Sequence, residues 1–326
     1  MTAAFSPPAA PPEWRRWLTE YLGLVAALGL LILFFSLATR HFFSADTFRT
    51  IANQIPAVMI VATGMTLVLI VAEIDLSVGS VLGFCGAVLG LALTHWQWPL
   101  WAGLTAAMAT GVVCGLFNGA VLVRWRLPSF IVTLGMLEMA RGGAHAVTKS
   151  QTQYIGSAIE GIAGTAVFGL SLPFLLALLV VVAAQVTLSH AVFGRHLFAV
   201  GANEQAARLS GIDPRRVKVI VFVISGALVA LAAIIDTSRF QSANPNAGSG
   251  LELQAIAAAV IGGTSLMGGR GSVVRTLFGV LIIAVLNSGL AAVGAKDEIK
   301  RLVTGAVIVA AVIVDYYRQR LGKGRA

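Results

Sequence analysis

The amino-acid sequence predicts an all-α, polytopic membrane protein with about ten transmembrane helices. Hydrophobic residues make up 57% of its 326 residues and charged residues only 11%, and the mean hydropathy is +0.87. Soluble domains carry about 25% charged residues, and a core of this size could not bury so much apolar surface. The apolar residues also fall into runs of about 20, the length of a helix that crosses a bilayer.

Ten apolar runs in the chain are long enough to cross the membrane. They lie at about 20–39, 54–72, 76–94, 100–123, 128–147, 168–188, 218–237, 252–268, 274–294 and 300–316. The runs at 128–147 and 252–268 are the weakest, because Gly, Ser, Arg and Glu interrupt them. An even number of spans places both termini on the same side of the membrane.

The distribution of Lys and Arg predicts which side that is. If both termini are inside, the inner segments hold 15 of the 23 basic residues and the outer segments hold 8. Loops rich in Lys and Arg stay in the cytoplasm. We therefore predict a disordered cytoplasmic N-terminus at 1–17, a transmembrane domain at 18–318 with a cytoplasmic loop at about 189–218, and a cytoplasmic tail at 319–326.

Several functional classes are disfavoured by the same sequence. The net charge of +9 does not predict nucleic-acid binding, because the basic residues lie between apolar runs rather than in one patch. Cys85 and Cys114 fall inside apolar runs and are interpreted as small core residues. The sequence contains no zinc-ligand spacing, hydrolase nucleophile motif or phosphate-binding P-loop. We therefore assign it no catalytic residue and no metal site.

The segment GANEQAARLSGIDPRRVK at 201–218 is polar and turn-rich between two apolar runs, and it predicts a short cytoplasmic helix. Gly201 and Asn203 can begin this helix, Glu204 favours its positive end and Gly211 can end it. Ala206 and Ala207 would give it a smooth face that another surface can approach closely. The residues of this predicted contact surface are Gly201, Asn203, Glu204, Ala206, Ala207, Arg208, Gly211 and Asp213. A solvated connecting helix is the alternative that the residues alone leave open.

Two further segments have unusual composition. In EIDLSVGS at 73–80, two carboxylates occupy a tight turn, and either a proton or metal site or capping of the next helix by Asp75 or Ser77 would explain them. Capping is the favoured interpretation, because charge is tolerated at the membrane interface. The stretch IGGTSLMGGRG at 261–271 contains five glycines, which favour close helix packing or a break in a helix.

These segments together resemble the permeases of ABC importers for ribose, xylose, galactose and arabinose. The spacing E-x-A-A-x-x-x-G at 204–211 is similar to the loop with which such permeases contact their ATPase. EIDLSVGSVLG at 73–83, NGAVLVRWRLPSFIVTLGM at 118–136 and IAAAVIGGTSLMGGRGSVVRTLFGVLII at 256–283 also resemble this family, in the same order. The resemblance extends from about residue 50 to the C-terminus.

The resemblance implies an ABC importer permease fold in a bacterial inner membrane and a monosaccharide as the transported solute. It implies three protein partners besides membrane lipid: an ABC ATPase that carries ATP and Mg²⁺, a periplasmic sugar-binding protein, and a second permease copy, identical or paralogous. It also implies that Glu73, Asp75 and Ser77 help to shape an inner gate. No cofactor is expected on this chain itself.

Polar side chains within the apolar runs are candidates for a translocation path. Asn118, Thr133, Gln254 and Asn287 offer amides and hydroxyls that suit a neutral sugar, although hydrogen bonding between helices is the favoured interpretation for each one taken singly. An ABC importer for branched-chain amino acids or an autoinducer is the closest alternative function. A secondary transporter is a more distant one, because Glu138 is the single candidate for a coupling carboxylate within the spans.

Overall fold

The computed structural model describes residues 13–40, 42–164, 166–167 and 169–323. Residues 1–12 of the predicted disordered N-terminus and 324–326 of the predicted tail lie outside these residues. The described part of the predicted N-terminal segment is helical from Glu13, where α1 begins, and the described part of the tail is helical to Lys323, where α14 ends. The described chain contains helices α1 (Glu13–Ala38), α2 (Ala45–Gln54), α3 (Pro56–Ile70), α4 (Val78–Thr94), α5 (Leu100–Trp125), α6 (Ser129–Thr148), α7 (Ser157–Gly164), α8 (Leu172–His190), α9 (Val192–Ala202), α10 (Glu204–Leu209), α11 (Pro214–Phe240), α12 (Leu251–Ile261), α13 (Val273–Ala292) and α14 (Asp297–Lys323). Its strands are β1 (Gln153–Tyr154), β2 (Ala166–Val167), β3 (Leu170–Ser171) and β4 (Ser242–Ala243).

The all-α prediction is confirmed, and a helix lies within each predicted apolar run. Among the described residues, five helices are long and apolar enough to cross a membrane: α1, α5, α8, α11 and α13. Helices α2 and α3 form a sixth span if they are counted together, with a bend of 51° between them. The total of ten spans stays a prediction, because the other helices are shorter or more polar.

Helix α3 lies at the centre of the molecule, and glycines let its neighbours pack closely. Nearly all residues of α3 are buried. Beside it, α5 and α11 cross with their backbones in contact, since a side chain on Gly111 would overlap the carbonyl oxygen of Gly226. A side chain on Gly115 would likewise overlap the carbonyl oxygen of Phe222. Small residues at such crossings are the usual means by which membrane helices gain packing contacts.

The predicted apolar run at 252–268 is not one continuous helix, because the chain is helical there only over α12 (Leu251–Ile261). Gly248 and Gly250 have φ angles of +72° and +81°. Because this left-handed backbone conformation is incompatible with a right-handed helix, α12 cannot start earlier. After α12, Gly263 has a φ of +80° and a non-helical glycine loop follows. The break that the five glycines suggested is therefore present, and this part of the chain is discontinuous.

In the described residues, the predicted inner segments and the predicted outer segments lie at opposite ends of the helical bundle. At one end β1 pairs with β4, Asn53 accepts a hydrogen bond from Ser171 N, and Arg239 donates to the carbonyl of Gln54. At the other end the segments 70–77, 201–218 and 262–271 meet. The alternation of loops that the sequence predicts is consistent with this arrangement.

Candidate functional site

The predicted contact segment forms the short helix α10 and its flanking turns. The Asn203 side chain accepts a hydrogen bond from Ala206 N at 3.0 Å and so caps the helix as predicted. Arg208 and Glu204 pair at 3.4 Å on its exposed surface. Gly211, with a φ of +83°, ends the segment, and Asp213 then caps α11 by accepting from Arg215 N at 3.0 Å.

Two residues of the predicted contact surface face the interior of the chain instead. Ala207 is buried, and only Ala206 of the expected smooth face is exposed. Gly201 lies in α9 rather than at the start of α10. The surface that α10 presents outward ends in Leu209, whose side chain is 90% exposed.

Gly201 belongs to a junction at which three backbones meet. A side chain on Gly201 would overlap the carbonyl oxygen of Ile70, at the end of α3. The Gly269 N–H donates to that same oxygen at 2.9 Å. Gly268, with a φ of +80°, packs so closely on Ala72 that an added Cβ would lie 2.6 Å from the Ala72 Cβ. The polar segment, the acidic turn and the glycine loop are therefore one structural unit.

Lys218 joins the same elements through charge. Its Nζ lies 2.6 Å from Glu73 Oε1 and 2.8 Å from Glu204 Oε2, so one cation holds the 73–77 turn and α10 together. The Lys218 and Glu73 side chains are only 15% and 12% exposed. The sequence indicated Lys218 merely as a basic residue beside the membrane, because its partner Glu73 lies far away in the chain.

The 73–77 turn is held from inside by buried polar groups. Asp75 Oδ1 accepts from Ser77 N at 2.9 Å and from Ser77 Oγ at 2.6 Å, so Asp75 orders the turn just before α4 begins. Ser77, at the N-cap position of α4, makes no side-chain capping bond. Burial raises the pKa of the Asp75 carboxyl above its usual value, which its hydrogen bonds to Ser77 partly oppose.

The four predicted path residues occupy two separate places. Asn118 Nδ2 donates to Ser77 Oγ at 3.1 Å, and Thr133 Oγ1 accepts from Leu76 N at 3.1 Å, so both are buried supports of the turn. Ser129 Oγ adds a third support by accepting from Ile74 N at 3.0 Å. Their transport role stays a prediction.

Gln254 and Asn287 line one cavity of about 200 Å³ between α3, α12 and α13. Gln54 and Ser288 lie in the wall of the same cavity. This grouping of amides and a hydroxyl suits a hydroxyl-rich solute, and a role for Gln254 and Asn287 in a path also stays a prediction.

A larger cavity of about 730 Å³ opens beside α10. It lies between the turn, the end of α5 and the start of α11. Its charged lining residues are Glu73, Arg126, Glu204, Arg208, Arg215 and Lys218. Apolar residues, among them Leu122 and Leu209, complete its wall. The cavity wall therefore combines charged residues of both signs with apolar ones.

Comparison with known proteins shows the family of this chain. Residues 47–312 match the family described as branched-chain amino acid transport system / permease component. The chain belongs to this permease family. Over 94% of its length it is 38% identical to the ribose import permease protein of Escherichia coli K12, 96% of which is covered.

Two other relatives in the family carry sugar names as well. The fructose import permease protein of Rhizobium meliloti is 32% identical, with 91% of this chain and 86% of the relative covered. The xylose transport system permease protein of Escherichia coli K12 is also 32% identical, with 91% and 92% covered. Family and apolar helices together make this permease a multi-pass membrane protein.

Some polar residues of the permease were missed by the sequence analysis. Asp236, Ser242 and Asn244 line a cavity of about 400 Å³ together with Gly86 and Gly248. Asp236 escaped attention because it ends the apolar stretch SGALVALAAIID, where a window average hides one carboxylate. Its position near the end of an apolar run was the available signal.

The Lys218 bridge leads to a test in the permease. Lys218→Met leaves Glu73 without its cation. Because the two side chains keep 15% and 12% exposure, we expect a cost between the about 0–1 kcal/mol of an exposed pair and the about 3–5 kcal/mol of a fully buried one. We expect a lower melting temperature in detergent and a several-fold loss of uptake, with most of both restored by Lys218→Arg. Arg216→Met is the matched control, because the Arg216–Asp213 pair is exposed and such pairs contribute about 0–1 kcal/mol. Equal stability and uptake in the Lys218→Met and Arg216→Met variants would contradict the role of the bridge.

Proposed function

We propose that this chain is the membrane-spanning permease subunit of an ATP-driven importer that moves a monosaccharide across a bacterial inner membrane. The observation that carries the proposal is the 38% identity to a ribose import permease over nearly the full length of both chains. The family description mentions branched-chain amino acids, but the relatives named for ribose, fructose and xylose favour a pentose or hexose.

The proposed importer needs partners at both ends of the chain. A separate ABC ATPase, which binds ATP and Mg²⁺, docks on α10 and the adjoining charged cavity at the cytoplasmic end. A periplasmic sugar-binding protein delivers the solute at the opposite end, and a second permease copy completes the membrane unit. The exposed Leu209 beside a charged surface supports the ATPase assignment, because interfaces combine an apolar anchor with a polar rim.

Movement of the ATPase can be transmitted to the 73–77 turn through contacts present in the structure. A shift of α10 acts on Glu73 through Lys218, and a shift of α9 acts on the end of α3 through Gly201. Both contacts connect to the 71–77 turn, where Asp75 and Ser77 are held rigidly. In the proposed cycle, closure of the ATPase dimer moves these elements as one body and switches the pathway between outward and inward openings.

Reconstitution tests the transported solute. We expect proteoliposomes containing the permease, its ATPase and its binding protein to accumulate labelled ribose, xylose or fructose only when ATP is supplied. Uptake of labelled leucine by the same vesicles tests the branched-chain amino acid alternative. Sugar uptake by vesicles that contain the permease without its ATPase tests for secondary transport. Leucine uptake without sugar uptake, or sugar uptake that needs no ATPase, would refute the proposed function.

Docking of the ATPase is tested on the exposed surface of α10. Leu209→Glu places a charge in the proposed contact, and Gly211→Asp adds both a charge and a side chain at a φ of +83°. We expect each to weaken ATPase pull-down at least tenfold, which corresponds to about 1.4 kcal/mol.

Tyr154→Glu is the matched control for this docking test, because Tyr154 is 82% exposed at the opposite end of the chain. Ala207→Glu is expected to reduce the yield of folded permease instead, because Ala207 is buried. Undiminished pull-down by both docking variants would identify α10 as a solvated connector.

The orientation of the chain is tested by cysteine labelling. In a chain without Cys85 and Cys114, we expect Gln205→Cys to react with an impermeant thiol reagent only after the cells are opened. Tyr154→Cys, at the other end, should react in intact cells. The expectation rests on the excess of Lys and Arg in the segments on the side of α10. Labelling of residue 205 from outside would reverse the topology.

A further inference from the structure

We propose that residues 244–249 line a water-filled substrate route that runs alongside α4 and α6, on the side of this helix pair that the segment covers, and admits a neutral, hydroxyl-rich solute. The inference deepens the proposed transport function and rests on it for the nature of the solute. It assigns the route to a stretch other than the four polar residues that the sequence indicated.

The 244–249 segment lies at membrane depth rather than at a surface. It follows α4 lengthwise, with Ala243 against Gly90 at one end and Gly248 against Gly79 at the other. At a rise of 1.5 Å per residue, these two contacts are about 16 Å apart along α4, whose whole length is about 25 Å. The segment therefore covers more than half of the depth of this helix.

Non-helical backbone at such a depth cannot face lipid. Irregular segments occur at membrane depth only inside protein or along a water-filled cavity. The main-chain groups of this segment are bonded within the protein, for example Ala247 N to the Asn244 carbonyl and Ser249 N to the Asn246 carbonyl, so its exposed side chains are what indicate water. The side chains of Asn244, Asn246 and Ser249 are exposed in this chain. Because they are polar and uncovered, a water-filled route explains them better than contact with lipid.

Helix α6 supplies a second, independent observation on the same side. Arg141 Nη1 donates to the carbonyls of Pro245 at 2.8 Å and Ala247 at 3.1 Å, which fixes the segment against α6. Glu138 lies about one helical turn before Arg141, near the middle of α6, and is exposed. A carboxylate exposed to hydrocarbon in mid-helix is costly, whereas one that faces a water-filled cavity is tolerated.

The chemistry of these residues selects the class of solute. Asn246 presents an amide that both donates and accepts hydrogen bonds. Asn244 Oδ1 accepts from Asn246 N and Ser249 Oγ donates to the Asn246 carbonyl, so these two side chains offer a solute the Asn244 amide donor and the Ser249 oxygen as an acceptor. The adjoining cavity of about 400 Å³, lined by Asn244, Ser242 and Asp236, is within the size range of small-ligand sites. The carboxyl groups at 138 and 236 add oxygen atoms that can form hydrogen bonds with the hydroxyl groups of such a solute.

This route is distinct from the cavity that contains Gln254 and Asn287. Glu252 packs against Gly79 on the α4 side of α12. Gln254 follows two residues later, about 200° around the helix axis, and faces α3 and α13. The two candidate routes therefore lie on opposite faces of α12, and one experiment separates them.

Cysteine accessibility in the assembled transporter tests the proposal. Single variants N244C, N246C and S249C are placed in the otherwise native chain, because Cys85 and Cys114 are buried and the parent provides the background rate. Membrane vesicles containing permease and ATPase are treated with a charged, water-soluble methanethiosulfonate. L179C is the lipid-facing comparison, since Leu179 is 63% exposed on the apolar helix α8, and Q254C and N287C report on the other cavity.

We expect residues 244, 246 and 249 to react at least tenfold faster than residue 179. Rates equal to that of L179C would overturn the route, as would fast labelling of Q254C and N287C with none at 244–249. Rapid disulfide formation between two N246C chains would also overturn it, because a second copy would then cover the segment. Labelling needs no transported sugar. A wrong assignment of the sugar would therefore leave the labelling rates unchanged, whereas a wrong assignment of the route would show in those rates. As a second readout, we expect N246L to lower sugar uptake several-fold while ATPase pull-down is unchanged.

Discussion

Direct contact of main chain on main chain at one end of the molecule is the constraint on which the rest of the structure depends. The Ile70 carbonyl ends the central helix α3, and it both receives the Gly269 N–H at 2.9 Å and lies against Gly201. Contacts of this kind leave no room for rotamer changes, because no flexible side chain lies between the backbones. The elements that meet there, α3, α9 and the glycine loop, are consequently held in fixed relative positions, and Lys218 has its two carboxylates within reach.

Local signals were predicted well from the sequence, and signals that depend on tertiary packing were not. Asn203 and Gly211 behave as expected, because capping and helix termination involve only residues a few positions apart. Ala207 was misjudged, since a six-residue helix has no pattern long enough to show which face is buried. The pairing of Lys218 with Glu73 joins distant parts of the chain, and no spacing in one sequence reveals it.

The discontinuous stretch from 241 to 272 shows a second limit of hydropathy. An average over about 20 residues treats Gly and Ala as helix-compatible, whereas the backbone at Gly248, Gly250 and Gly263 adopts positive φ angles that end a helix. The composition did indicate a break near the glycine cluster, but not the matching break before Leu251. Asn118 and Thr133 show a further limit, because the sequence did not reveal that their side chains hydrogen-bond to the 73–77 turn; their role in a pathway stays a prediction.

The order of the bridging residues along the chain bears on biogenesis. Both carboxylates of the Lys218 bridge, Glu73 and Glu204, precede it and are synthesised before it. When α11 enters the bilayer, its first turn therefore meets two acidic partners on segments that have already left the ribosome. Gly269 follows Lys218 and is the last contributor to the junction at Ile70. All residues of the Lys218 bridge are therefore synthesised before the last residue of the junction, and the backbone contact at Ile70 cannot be completed until Gly269 has been added to the chain.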